Sequence, residues 1–541
     1  MWADAACLFL ITVLTAVPYL SRLGFYSDDW LILANFHFDT LHHRFGLSSA
    51  LSGFEARPLQ GLYLALLYKF FGFHAFFYHL VNTMVIGVAI AIFYFLLVRM
   101  NVGRARALAA AMILIILPQL STVRVWYAAF QIPLSMVAAL VSLHCQLSFA
   151  RTGKWGWAIA AALAALISLG LYEIFAPLIA AFPIALATVY RRGPTPKGRR
   201  SAVGAGIVAV LLGAVAASKI LSSDRVRSPE IHLYTKGLIQ LFRPDYDWRT
   251  DYALNIFAAT SVHFWWPLLA WLRQVPALFQ GQVGVVSAAV ALVTALACFL
   301  LLGPVRAPAV DQPGDSRLLV LGAAAFVLGH AVFLIAPAMF FSPAGIANRA
   351  LVAAAIGVAL IFAAGIGYVS DLFNSRLRPL VFAGIVALVM FLGTLRILQI
   401  TNYWAEVPPL QARVVSAARS DLKNVPAQSM IMLDNVCPYH GPGVVFEGPW
   451  DISGALELAL GRPIHGDAVS PRMSLQSHGL ATSIYGEKAF YPFGAMLYVY
   501  DPARRRVTQI ENLDAARAYF RISRSGRTPC PRSYVGQGVL I

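Results

Sequence analysis

Runs with few or no charged residues recur along this chain, at 5–20, 74–98, 107–123, 125–150, 155–172, 174–190, 203–221, 283–305, 318–340, 350–370 and 379–399. Most approach the ~20 residues that a helix needs to cross a bilayer. Nothing else in the sequence constrains the fold as strongly. The composition agrees, with 59% hydrophobic and 12% charged residues in 541, where a soluble globule carries about a quarter charged, and the mean hydropathy is +0.68. An all-α polytopic membrane protein of about eleven transmembrane helices is predicted over residues 1–400.

The loops set the orientation. If every run spans, the segments with Arg99, Arg104 and Arg106, with Arg151 and Lys154, with Arg191, Arg192, Lys197, Arg199 and Arg200, with Arg306 and Arg317, and with Arg376 and Arg378 share one side. The excess of Lys and Arg makes that side cytoplasmic. The N-terminus is then inside. The loop 21–73, the turns near Arg124, Glu173 and Arg349, the loop 222–282 and the C-terminal residues are outside, and the chain is a multi-pass protein of the inner (plasma) membrane. The net charge of +17 belongs to these loops, so nucleic acid is discounted as a partner. Residues 5–20 have no basic segment ahead and no cleavage site, which predicts a retained helix. Tyr252–Leu272 is apolar enough to cross, but His263, two tryptophans and Pro267 suit an interfacial helix, and a crossing would put the Arg306 and Arg376 loops outside.

From Thr401 the composition becomes that of a soluble domain. A strand Ser429–Leu433, a helix Ile452–Leu460 and a strand Ala495–Tyr500 predict a small extracytoplasmic α/β domain over 401–541. Cys7, Cys145 and Cys298 lie in apolar runs, whereas Cys437 and Cys530 fall in this outer domain, where thiols oxidise, and are expected to form a disulfide. The sequence holds no CxxC, no His/Cys metal spacing, no Walker loop, no dinucleotide fingerprint and no repeat.

Phe25-Tyr26-Ser27-Asp28-Asp29-Trp30 sets two carboxylates just beyond the first apolar run. There the dielectric falls and a carboxylate can act as a base on an incoming hydroxyl; the plainer reading is a helix start, since Ser and Asp are good N-caps. Glu173 stands between two uncharged stretches, which is costly unless it faces a cavity or a partner. Arg349, with Asn348 beside it, is an outer arginine against the topological bias, so it meets either a specific anion such as phosphate or lipid headgroups. His37, His42 and His43 read as interfacial residues before metal ligands, and His79 and Asn82 as packing residues.

The strings Asp28-Asp29, Arg57-Pro58-Leu59, Leu66-Leu67-Tyr68, Phe71-Gly72 and Tyr78-His79-Leu80-Val81-Asn82, in this order, resemble the GT-C superfamily of polyprenyl-phosphate-sugar-dependent glycosyltransferases, in its TMTC-like and protein-O-mannosyltransferase-like branch. Trp126, and Glu173 with Pro177, are similar to weaker family positions, with fainter echoes in Leu241-Phe242-Arg243-Pro244 and Asn348-Arg349. Thr122 departs from the branch, which often has Glu there, and the Glu173 to Pro177 spacing is shorter than in animal members. The absence of tetratricopeptide repeats after residue 400 points to a bacterial envelope enzyme.

The resemblance implies a GT-C-like fold and transfer of a sugar, with inversion, from a polyprenyl-phosphate donor to an envelope glycan, lipid or protein acceptor on the outer face. Asp28 is the favoured base. Asp29 orients it or holds an optional divalent metal (Mg or Mn). Arg349, Arg57 and Asn348 meet the donor phosphate, and Glu173 and Arg124 line the cavity. The alternatives are a transporter or flippase of a lipid-linked sugar and a non-catalytic membrane accessory subunit; a transporter would carry ionisable residues near the helix centres, which here hold almost none.

Overall fold

The computed structural model describes residues 1–41, 53–190, 203–204, 259–279, 284–303, 315–334, 341–470, 473–484, 487–524 and 530. His42, His43, the Arg191–Arg200 segment, nearly all of the run 203–221, Leu241–Pro244, the first part of Tyr252–Leu272 and Arg306 lie outside these.

Among the described residues six helices are long and apolar enough to cross a membrane: Ala75–Arg99, Tyr127–Thr152, Val285–Leu302, Ser316–Phe333, Ile346–Asp371 and the continuous Arg378–Asp421. A seventh crossing is broken, Arg104–Ile116 meeting Pro118–Val125 at 56°. Its cause is local. Pro118 has no N–H to continue the ladder and drives Leu117 into the extended region, at φ −66° and ψ 128°. Trp2–Leu14, Trp155–Leu171 and Glu173–Pro183 are shorter apolar helices. The predicted runs are thus largely helical within the described residues, although 15–20 of the first run are turns, three helices fall short of a full crossing, and six or seven crossings stand against the eleven predicted. The described part of Tyr252–Leu272 enters a π-helical turn, Ser261–Trp265, before the helix Trp266–Phe279, and is not among the six.

One end of the bundle is fastened by a pairing that the sequence does not announce. Asp4, buried in the first helix, accepts hydrogen bonds from Arg104 Nε at 2.8 Å and from the Tyr94 hydroxyl at 2.7 Å. A carboxylate in an apolar helix is tolerated because it is paired. These bonds tie Trp2–Leu14 to the helices Ala75–Arg99 and Arg104–Ile116.

The helix Arg378–Ala405 continues through Glu406 into Val407–Asp421 and hands the chain to the C-terminal sheets. Strands β1 (Met430–Leu433), β2 (Tyr439–His440), β3 (Gly443–Val444) and β4 (His465–Ala468) are followed by β5 (Ser474–Leu475), β6 (Gly479–Ile484), β7 (Glu487–Pro492), β8 (Leu497–Asp501) and β9 (Arg506–Gln509). The main sheet has the order β4-β1-β8-β9, with β1 parallel to β4 and β8, and β9 antiparallel to β8. β2 and β3 form a hairpin and β5-β6-β7 an antiparallel sheet. The helix Pro449–Leu460 connects toward β4 and packs on Asp29–Leu41. Gly454 permits that contact: a Cβ there would stand 2.4 Å from the Trp30 carbonyl carbon. The C-terminal sheets are therefore seated on the segment that carries the acidic pair.

Candidate functional site around the acidic pair

The acidic loop is fixed from several directions. Tyr26 is fully buried, its hydroxyl donating to the Trp404 carbonyl at 2.9 Å and accepting from the Gly24 N–H at 2.9 Å. His79 Nε2 lies 3.0 Å from the Gly24 carbonyl, and Phe25 packs edge-on to Tyr78 and Tyr127. Ser27 then takes a left-handed φ of +48°, a strained conformation for a residue with a side chain.

That turn separates the two acids. Asp29 opens the helix Asp29–Leu41 with no exposure, its Oδ2 accepting from the Tyr26 N–H and its Oδ1 from the Ala128 N–H, each at 2.8 Å. Burial pushes its carboxyl well above the usual carboxylate range, against the pull of those backbone N–H groups. Both oxygens are engaged, so Asp29 acts as a staple across the fold. Asp28 is half-buried at the surface of the turn. Of the pair, only Asp28 is partly exposed.

Beside it the broken helix delivers Trp126. Asn82 donates to the Val123 carbonyl at 2.8 Å and to that of Arg124 at 3.3 Å, holding the bend. The Trp126 indole N–H reaches the Tyr26 carbonyl at 3.1 Å. On the ring lies Arg349, its guanidinium carbon 4.8 Å from the centroid, in the range of a cation–π contact. The guanidinium is half-buried, and no carboxylate among the described residues is paired with it. Thr122 donates to the Gly345 carbonyl at 2.5 Å, and Gly345 allows the turn into the arginine segment with its φ of +86°.

Asn348 requires a correction. It is fully buried, its amide donating to the carbonyls of Ser342 at 3.3 Å and Pro343 at 3.1 Å, while its carbonyl accepts from Ser121 at 3.4 Å. It shapes the loop that presents Arg349 and does not face a donor phosphate.

Arg57 and Glu173 are also reassigned. The sequence reading puts one on the phosphate and the other in the cavity, but the structure pairs them, Nε with Oε2 at 2.9 Å and Nη2 with Oε1 at 2.6 Å. Arg57 also stacks on Tyr172 at 4.2 Å. This answers how Glu173 is tolerated between apolar segments: it is a counter-ion. Arg124 is buried, donating to the Ile115 carbonyl and, at 3.2 Å, to the Thr15 hydroxyl. It lines a cavity of about 20 Å³ with Thr12, Thr15, Thr83 and Thr401, room for a water and not for a sugar.

No family model and no curated protein matches the chain. Among solved structures, the chain is similar to ArnT from Cupriavidus metallidurans bound to undecaprenyl phosphate, at 16% identity over 84% of both chains and a TM-score of 0.35. A likeness that distant carries no inference about chemistry.

The C-terminal region supplies further polar groups at the same place, none of which the sequence reading singled out. Ser27 donates to Glu447 Oε1 at 2.9 Å and accepts from the Trp450 indole N–H at 3.2 Å. The Tyr439 hydroxyl donates to Glu447 Oε2. Asp451 fixes the approach by accepting from the N–H groups of Glu447 at 2.7 Å and Gly448 at 3.0 Å, as an acid in the first helical turn does. Its only sequence signal is Gly448-Pro449-Trp450-Asp451, a helix start with Pro in the first turn. Among the described residues no three His, Cys, Asp or Glu side chains converge as a metal site. His37 Nδ1 is 3.1 Å from the Tyr68 hydroxyl. Cys437 and Cys530 are joined, their Cα atoms 5.6 Å apart.

Proposed function

We propose that this protein is a membrane glycosyltransferase that moves a sugar from a polyprenyl-phosphate donor to an acceptor hydroxyl of an envelope glycan, lipid or protein, on the extracytoplasmic face and with inversion. The observation that carries the reading is that Trp126 joins the partly exposed Asp28 to Arg349, its indole holding the Asp28 turn and its ring supporting a guanidinium that pairs with no carboxylate among the described residues.

The chemistry needs two groups of this kind. Asp28 takes the proton of the acceptor hydroxyl as the new bond to the anomeric carbon forms. The bond from that carbon to the phosphate oxygen breaks on the opposite side, and the departing polyprenyl phosphate gains negative charge, which the planar fork of Arg349 meets. Asp29 holds the turn and is not the base, both of its oxygens being engaged by backbone N–H groups. Arg57 and Glu173 brace the helices behind it.

Mass analysis of lipid-linked sugars and envelope glycans in cells with and without the gene tests the proposal. Loss should accumulate one polyprenyl-phosphate sugar and remove one sugar from an envelope component. Unchanged pools of both would contradict it, and lipid-linked sugar displaced across the membrane without cleavage would favour a flippase.

A further inference from the structure

Glu447 reaches the acidic turn from the C-terminal region, and its contacts place it behind Asp28. It is 5% exposed. Its partner Ser27 also lies beside Asp28, with 3.5 Å from Ser27 Oγ to Asp28 Oδ1 against 2.9 Å to Glu447 Oε1. A serine hydroxyl has one proton to donate. Because the Trp450 N–H occupies one lone pair of that oxygen, the hydroxyl is held with its proton toward the nearer carboxylate, which is Glu447.

We infer that Glu447 is a positioning residue for sugar transfer: by accepting the Ser27 proton it keeps that hydroxyl from donating to Asp28, and so makes the C-terminal domain part of the catalytic unit. The inference rests on the reading of Asp28 as base given above. A hydrogen bond donated to a carboxylate stabilises its charged form and weakens it as a base. Removing Glu447 lets Ser27 turn its proton to the other carboxylate that it approaches among the described residues, Asp28. The seating is rigid enough for this role, since Gly454 brings the helix Pro449–Leu460 into backbone contact with Trp30 and the Phe446 and Trp30 rings lie 6.4 Å apart.

The test is transfer from a synthetic polyprenyl-phosphate sugar by full-length protein in detergent, measured as kcat and KM beside donor binding. Glu447→Ala should lower kcat by about 10-fold, the worth of one hydrogen bond, and leave donor binding and KM for the donor unchanged. Ser27→Gly, which suits the positive φ and removes the hydroxyl, should restore most of that loss when combined with Glu447→Ala. A residue that only packs the domain would show no such rescue. Glu447→Gln keeps the size but is a weaker acceptor, so it should lose roughly threefold, also reversed by Ser27→Gly. That pair decides the matter if the alanine variant does not fold. Wild-type kcat in both Glu447 variants, or a double variant no better than the single one, overturns the inference. Asp28→Asn in the same assay separates the two failures: if it is inactive while Glu447 variants are normal, only the role of Glu447 falls, and if it turns over normally the base assignment falls and the inference with it.

Discussion

Arg349 lies over the ring of Trp126, its guanidinium carbon 4.8 Å from the centroid, and the same indole holds the Tyr26 carbonyl two residues before Asp28. One side chain thus sets the spacing between the proposed base and the proposed phosphate ligand. Arg349→Ala should weaken donor binding and lower kcat/KM together, because the contact exists before and during transfer. Arg349→Lys should recover little, since a point charge does not reproduce the bidentate fork or the stacking. Titration with the donor checks both, and unaltered donor affinity in Arg349→Ala would remove it from the phosphate site.

The Arg57–Glu173 pair is mostly shielded, with side-chain exposures of 11% and 14%. Breaking one side of this shielded pair should destabilise the protein more than replacing both by apolar residues of similar size. Thermal melting of Glu173→Ala, Arg57→Met and the double variant gives the coupling. Additive losses would show that the two do not act as a pair.

Cys437 and Cys530 close a loop across a sequence separation of 93, and the fold around β2 and β3 depends on where the first of them is held. Removing the bond should destabilise the C-terminal region by about 2–4 kcal/mol. Mass spectrometry of non-reduced peptides should find the pair joined. After reduction of intact cells, a membrane-impermeant thiol reagent should label both; labelling only after permeabilisation would place the domain on the cytoplasmic side.

Asp421, at the end of the helix Val407–Asp421, is held below the usual carboxylate range by the Arg505 guanidinium that hydrogen-bonds to it. A carboxylate so lowered contributes stability above its ordinary value of about 4, and that contribution is lost as pH falls through the folded value. Arg505 is well exposed, so the effect is small and screened by salt. Melting of wild type and Arg505→Ala should therefore diverge above pH ~4 and converge at lower pH. Parallel curves throughout would refute the coupling.

Much of the helical plan was legible because spans advertise themselves by length and lack of charge, and the pattern at Asp28-Asp29 and Arg57-Pro58-Leu59 marked the region where the site is built. What escaped is what depends on pairing over distance. Arg57 and Glu173 are 116 residues apart, and read separately they point to different roles, the arginine to a phosphate and the glutamate to a cavity. Asn348 looked like a donor toward phosphate because its neighbour Arg349 is one. Asp4 sat unremarked in the first helix until Arg104 and Tyr94 were seen around it. Glu447 lies in a region with no recognisable motif, and only the seating of Gly454 on Trp30 brings it to Ser27. The division of labour between Asp28 and Asp29 was equally hidden, since adjacent acids carry no sign of which one the backbone N–H groups will enclose.

The most direct test is single-turnover transfer from a polyprenyl-phosphate sugar by purified wild type, Asp28→Asn and Asp29→Asn, with donor binding and melting measured on the same samples. Asp28→Asn should bind donor and melt like wild type while transfer falls by roughly 10² to 10⁴, the typical contribution of a general base. Asp29→Asn should lose stability first, because it disturbs the bonds to Tyr26 and Ala128. Near wild-type transfer by a folded Asp28→Asn would contradict the base assignment on which the proposed function rests.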